Sequence, residues 1–199
     1  MKQVFQFALK FNGDISNCNT AKVTTMEGMV ESAQKFNGNI SNWDTKSVTN
    51  MKHMFKGALK FNGVITNWNT AKVTDMCSMF AYAQEFNQNI STREDLWNTS
   101  AVTDMQFMFF NASDFNQDIT NWDTSSVSNM ERMFSRATSF NQNIKTDGDC
   151  WNTSAVTNMK ATFEYASAFD ADISSWDTRN VRNMYLIFKG ADALKDKKT

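Results

Sequence analysis

The 199-residue chain has no proline, one histidine, three cysteines and seven glycines. At an average usage of roughly 5%, about ten prolines would be present in a chain of this length, so something in the backbone rejects the residue. No run of about 18 apolar residues occurs, which leaves no membrane-spanning helix. The opening stretch MKQVFQFALKFNGD is broken by Gln, Lys and Asn where an export signal needs continuous apolar residues. A net charge of −1 and a pI of about 5.8 give no footprint for nucleic acid. The single histidine, His53, lies between Lys52 and Met54 at an outward, solvated position, so neither a nucleophilic triad nor a histidine zinc site can be built.

What is abundant is Phe at 17 residues and Met at 13, in a chain that is 41% hydrophobic and 21% charged, the balance of a folded protein. These residues recur at fixed spacing. The Phe-Asn pair begins at Phe11, Phe36, Phe61, Phe86, Phe115 and Phe140, and returns as Phe169-Asp170, at intervals of 25 or 29 residues. Isoleucine repeats from Ile15 to Ile173, tryptophan from Trp43 to Trp176 with Cys18 in the first place, and Val, Met and Ala follow the same period. The unit reads F-N-x-x-I-x-x-W-[DN]-T-x-x-V-[TS]-x-M-x-x-M-F-x-x-A-x-x. Seven units start near 11, 36, 61, 86, 115, 140 and 169, with partial repeats at 1–10 and 189–199, in one domain over 1–199.

Both 29-residue intervals come from four extra residues between the Ile and Trp positions, after which the ladders resume in phase. Such insertions belong on an edge loop. They supply the candidate partner-binding residues Thr92, Arg93, Glu94, Asp95 and Leu96 in one unit, and Lys145, Thr146, Asp147, Gly148 and Asp149 in another.

Within a unit, Val48, Met51, Met54, Phe55 and Ala58 step by three and four, which predicts a short helix or 3-10 turn over about 48–58. Asp44, Thr45 and Thr49 are helix-capping residue types. Residues 39–43 lack that spacing and read as a short parallel strand followed by a turn. Stacked units bury faces that one unit cannot, with Trp, Ile, Phe and Met in continuous files.

The polar ladders have competing readings. Asn12 to Asn141, and Asp44 to Asp177, could place oxygen ligands for a hard cation between units; hydrogen bonding to turn backbone is favoured, because amide and carboxylate interchange in the second ladder. Asp147 and Asp149 form the one local acidic cluster that could hold an ion, and two carboxylates are few for it. The threonines from Thr20 to Thr178 suggest ice binding in a flat file but follow Asp or Asn, so capping is favoured. Cys18 reads as a core substitute for Trp and Cys150 as an exposed thiol. No disulfide is expected, since Cys18 and Cys150 lie five units apart, on the order of 24 Å at strand spacing. Lys10, Lys35 and Lys60 line one edge, giving way to Glu85 and Asp114, a charged strip that an acidic partner would meet.

The signature Phe36-Asn37, Ile40, Trp43-Asp44-Thr45, Val48-Thr49-Asn50-Met51, Met54-Phe55 and Ala58 resembles the 25-residue repeat of BspA-like leucine-rich-repeat surface proteins, a repeat also found in mycoplasma surface lipoproteins and in proteins of large DNA viruses. The resemblance covers residues 4–194. It implies an α/β repeat solenoid of leucine-rich-repeat-like coils, each a short parallel strand plus a short helix or 3-10 turn. It further implies a place on a cell or virion surface, adhesive or protein-partner binding, no cofactor, no small-molecule substrate and no enzymatic activity. The alternative is a structural subunit stacking end to end within an assembly.

Overall fold

The computed structural model describes residues 1–92 and 96–194. Among them there is no helix and no strand; the backbone is a succession of tight turns joined by isolated bridges. The expected α/β repeat solenoid, with its strand-plus-helix unit, is therefore wrong for this chain.

The reason lies in where the amides go. In the segment expected to be helical, the N–H groups of Met51, His53, Phe55 and Gly57 donate to Asp75, Cys77, Met79 and Ala81 of the next unit, at 2.7–3.1 Å. The alternate amides turn inward: Met54 donates to Met51 at 3.2 Å, Lys56 to His53 at 3.1 Å and Ala58 to Phe55 at 3.0 Å. A helix needs every amide to bond four residues back along its own chain; here half are given to a neighbour. His53 (φ 58°) and Gly57 (φ 70°) are left-handed, each third in a four-residue turn, the place where a type II turn requires positive φ. The same two positions are left-handed in the other units: Ser78 and Tyr82, Phe107 and Asn111, Arg132 and Arg136, Ala161 and Tyr165. The expected strand over 39–43 is likewise a turn, closed by Trp43 N–H on Ile40 O at 3.2 Å.

Register between units follows the sequence period. Parallel bridges link Thr25, Asn50, Asp75, Asp104, Asn129, Asn158 and Asn183 in order. One cluster of buried side chains runs from Ile15 to Trp176. In it Phe55 lies flat on Phe61 at 3.9 Å between ring centroids, and each ring stacks on its counterpart in the next unit, Phe80 at 5.5 Å and Phe86 at 5.9 Å. Tryptophans pair at 6.1–6.4 Å, and each indole N–H donates to the Ile carbonyl of the unit before, as Trp122 does to Ile90 at 2.9 Å. Offset stacking adds to burial for such rings.

The four-residue insertions leave this core in place. Trp97 and Trp151, which follow them, have φ of 39° and 48° and donate their amides to Trp68 and Trp122 instead of to their own Ile. Their indoles still reach Ile65 and Ile119 at 2.8 Å.

The Phe-Asn asparagines form a ladder of their own. Asn87 Oδ1 accepts the Asn116 amide at 3.0 Å and Gln117 Nε2 at 2.9 Å, and Asn62 Oδ1 accepts the Asn87 amide at 2.9 Å. Asn87→Ala is expected to cost about 1 kcal/mol by leaving those donors without an acceptor, while Asn87→Asp retains most of that stability. Urea unfolding of both variants measures the difference.

Candidate functional site

Most of the repeated polar side chains are committed to the backbone. The Asp44 ladder makes turns as expected: Asp44, Asn69, Asn98, Asp123, Asn152 and Asp177 each accept the amide two residues on. The threonines do not cap. Thr45, Thr70, Thr99, Thr124 and Thr153 are buried, and their hydroxyls donate to a carbonyl of the following unit at 2.8–3.0 Å. A second turn ladder at Asn50, Asp75, Asp104, Asn129, Asn158 and Asn183 works as the Asp44 ladder does. Within it, burial pushes the Asp104 carboxyl up.

The described residues of the insertion edge are held by hydrogen bonds. Thr92 Oγ1 donates to Trp97 O at 2.8 Å, and Asn121 Nδ2 to Thr92 O at 2.5 Å. Arg93, Glu94 and Asp95 lie outside the described residues; Leu96 is half-buried. In the second insertion Asp147 and Cys150 exchange two backbone hydrogen bonds of 3.0 Å around Gly148 (φ 58°), closing a small hairpin. Thr146 Oγ1 anchors it on Trp151 O at 2.8 Å. Lys145, Asp147, Gly148 and Asp149 are exposed, Lys145 with its ammonium 3.7 Å from Asp172. Among the described residues no group of three or more His, Cys, Asp or Glu converges, at Asp147 and Asp149 or elsewhere.

The cysteines are all free. Cys18, read as a core substitute for Trp, is exposed, because in the first full unit no preceding layer covers the Trp position. Cys150 is half-buried rather than exposed, and burial with the carboxylates of Asp147, Asp123 and Asp149 pushes its thiol up. His53 is half-buried, and burial followed by Lys56 pushes its pKa down. Of the lysine strip, Lys60 pairs with Glu85 of the next unit.

A surface not singled out in the sequence is the outward side of the paired turns. In M-x-x-M-F-x-x-A the x positions point away from the core, and they differ from unit to unit. Toward each end they pair with one another: Lys56 with Glu31 at 3.1 Å, Lys160 with Glu131 at 3.1 Å, Arg132 with Glu164 at 2.9 Å. Arg136 lies 4.8 Å over the Tyr165 ring. Between them the face is apolar. Tyr82 is 42% exposed and meets Phe110 edge-on at 5.1 Å, and Phe107 meets Phe110 likewise at 5.6 Å. With Lys56, Ser78 and Ala81 they line an open hollow of about 280 Å³. That lies just under the roughly 300–1,000 Å³ of small-molecule pockets, and being open it suits a protruding side chain better than an enclosed ligand. The available signal was the apolar Tyr82, Phe107 and Phe110 at positions that are otherwise mostly polar or small.

Among known families, one described as "Mycoplasma protein of unknown function, DUF285" matches residues 1–96 and again 92–199. No curated protein and no solved structure matches the chain. Among the described residues no helix is long and apolar enough to cross a membrane.

Proposed function

The chain belongs to this Mycoplasma family of unknown function, and from that premise we propose that it is a non-enzymatic protein–protein interaction module whose contact surface is the outward turn face. The observation that carries the reading is the aromatic hollow of Tyr82, Phe107 and Phe110, open between units in which the outward Lys56, Lys160 and Arg132 are paired with Glu31, Glu131 and Glu164. Aromatic anchors that fill a pocket near the centre of an interface carry much of its binding energy. The resemblance to BspA-like repeats supports a place on a cell or particle surface, where such a module would hold a partner. A second reading puts the contact on the insertion edge, favoured by the fixed hairpin that presents exposed Gly148 and Asp149.

Two variants separate these readings: Tyr82→Ser/Phe107→Ser/Phe110→Ser, and replacement of both insertions by the two-residue form of the other units. Proximity labelling on the native cell or particle surface should yield a partner whose direct binding to the purified chain the triple variant weakens at least tenfold and the insertion swap leaves unchanged. The reverse pattern moves the contact to the insertion edge. Undiminished binding by both folded variants overturns the assignment to either surface.

A further inference from the structure

The outward turn face carries a charge pattern that is its own complement when reversed. The residue after the first Met of each paired turn is, in chain order, Glu27, Lys52, Cys77, Gln106, Glu131 and Lys160. About a centre between the 76–83 and 105–112 turns, Glu27 is matched by Lys160 and Lys52 by Glu131. Parallel bridges between consecutive units, such as Asp75 with Asp104, hold these positions in register. Lys52 has no salt bridge among the described residues, while Glu131 already holds Lys160 of its own chain at 3.1 Å.

Side-chain size follows the same reversal. At the centre, the 76–83 turn presents Ser78 and Ala81 where the 105–112 turn presents Phe107 and Phe110. The small pair and the aromatic pair lie on consecutive units and together line the open hollow of about 280 Å³. Reversing the order of units lays Phe107 over Ser78, Phe110 over Ala81, and Tyr82 over Asn111. The hollow is thus shaped for the same two rings that stand beside it.

Resting on the reading of this face as the contact surface, we propose that its partner is a second copy of the chain, docked face to face and antiparallel about a two-fold axis crossing the stack between these two turns. Such an axis keeps each file of outward residues opposite itself with the units in reverse order, so every contact occurs twice. Phe107 and Phe110 of each copy enter the hollow of the other, where aromatic anchors carry most of the binding energy. Lys52 meets Glu131 and Glu27 meets Lys160, pairs that set orientation and register more than affinity. Like charges face each other at Glu31 and Glu164, and each is neutralised within its own chain, by Lys56 and Arg132. His53 faces Arg132 in its neutral form at pH 7, because burial, followed by Lys56, pushes its pKa down. The contact is used up by two copies, so association stops at the dimer.

Sedimentation of the purified chain over a wide concentration range tests this, with charge-reversed variants alongside. Wild type is expected to pass from monomer to dimer and no further. Lys52→Glu sets acid against acid at positions 52 and 131, and Glu131→Lys sets base against base. Each variant alone, shown to be folded by urea unfolding, should weaken the dimer about tenfold or more. Mixed in equal amounts, the two regain opposite charges at both contacts and should form a heterodimer of near wild-type affinity, a rescue that antiparallel pairing of these positions requires. A wild-type chain that stays monomeric at its solubility limit overturns the second copy as partner; the face itself still stands as a contact surface if the triple serine variant loses the partner found by proximity labelling. A dimer that Tyr82→Ser/Phe107→Ser/Phe110→Ser leaves intact, or charge variants that mixing does not rescue, also overturns the proposal.

Discussion

Trp122→Ala is expected to lower the unfolding free energy by about 4 kcal/mol or more. The side chain is fully buried, stacks on Trp97 at 6.4 Å, meets Phe109 at a tilt at 6.1 Å, and donates its indole N–H to Ile90 O at 2.9 Å. Truncating a buried Trp costs about 3–5 kcal/mol, and the orphaned Ile90 carbonyl adds about 1–3 kcal/mol. Because a domain is stable by only about 5–15 kcal/mol, one such change approaches the whole. Trp176→Ala removes the same groups at the last full unit, where the ring stacks on Trp151 at 6.1 Å and meets Phe163 at 5.9 Å but is 8% exposed, with no further Trp layer over it among the described residues. The loss there should be about half as large, since stability in a repeat is mainly a sum of neighbour interfaces. Urea unfolding of both variants checks the ratio; equal losses would contradict it.

The second large effect is expected from Thr103→Pro. Thr103 is exposed, and its amide donates to Thr74 O of the unit before at 3.0 Å. Proline removes that donor and imposes its own φ, a change worth about 3 kcal/mol or more inside hydrogen-bonded structure. Thr103→Ala keeps the amide and loses only a 3.3 Å hydroxyl bond to the same carbonyl, so it should stay within about 0.5 kcal/mol of wild type. A midpoint shift several times larger for proline than for alanine, by thermal or urea unfolding, is the expected result.

This contrast explains the missing prolines more fully than ladders between units alone. Turns are where other proteins place proline, yet here the turn amides are taken as well. Those of Ser41, Lys46 and Lys52 are accepted by Asn39, Asp44 and Asn50 Oδ1 at 2.9–3.1 Å. Little of the unit has an amide to spare.

The period, the register and the phase-neutral insertions were legible because the Phe, Ile, Trp and Met files must superpose. The helix was misread for a physical reason. Met51, Met54, Phe55 and Ala58 step by three and four, and two tight turns in succession return side chains to one side just as a helix does. Glycine marks the left-handed positions at Gly28, Gly57 and Gly190, but His53, Ser78, Phe107, Arg132 and Ala161 stand there in other units. Left-handed backbone costs such residues about 1–2 kcal/mol each, a strain held by the bonds between units and invisible in one unit's sequence. Cys18 was placed inside on the pattern of interior units, although the first full unit has no layer over its Trp position. The aromatic turn face is not legible from loop length, because it arises from substitutions within the regular turns and not from the two insertions.

Amide hydrogen exchange in dilute solution asks most directly whether each unit is held by the next. Met159, Ala161, Phe163 and Tyr165 occupy the same places in their unit as Met184, Leu186, Phe188 and Gly190 do in theirs, and differ in having an acceptor in a following unit among the described residues. The first four should exchange about 100-fold more slowly or better, as amides that open only with a larger unfolding do, and the last four should exchange close to freely. Equal protection of the two rows would contradict the stack.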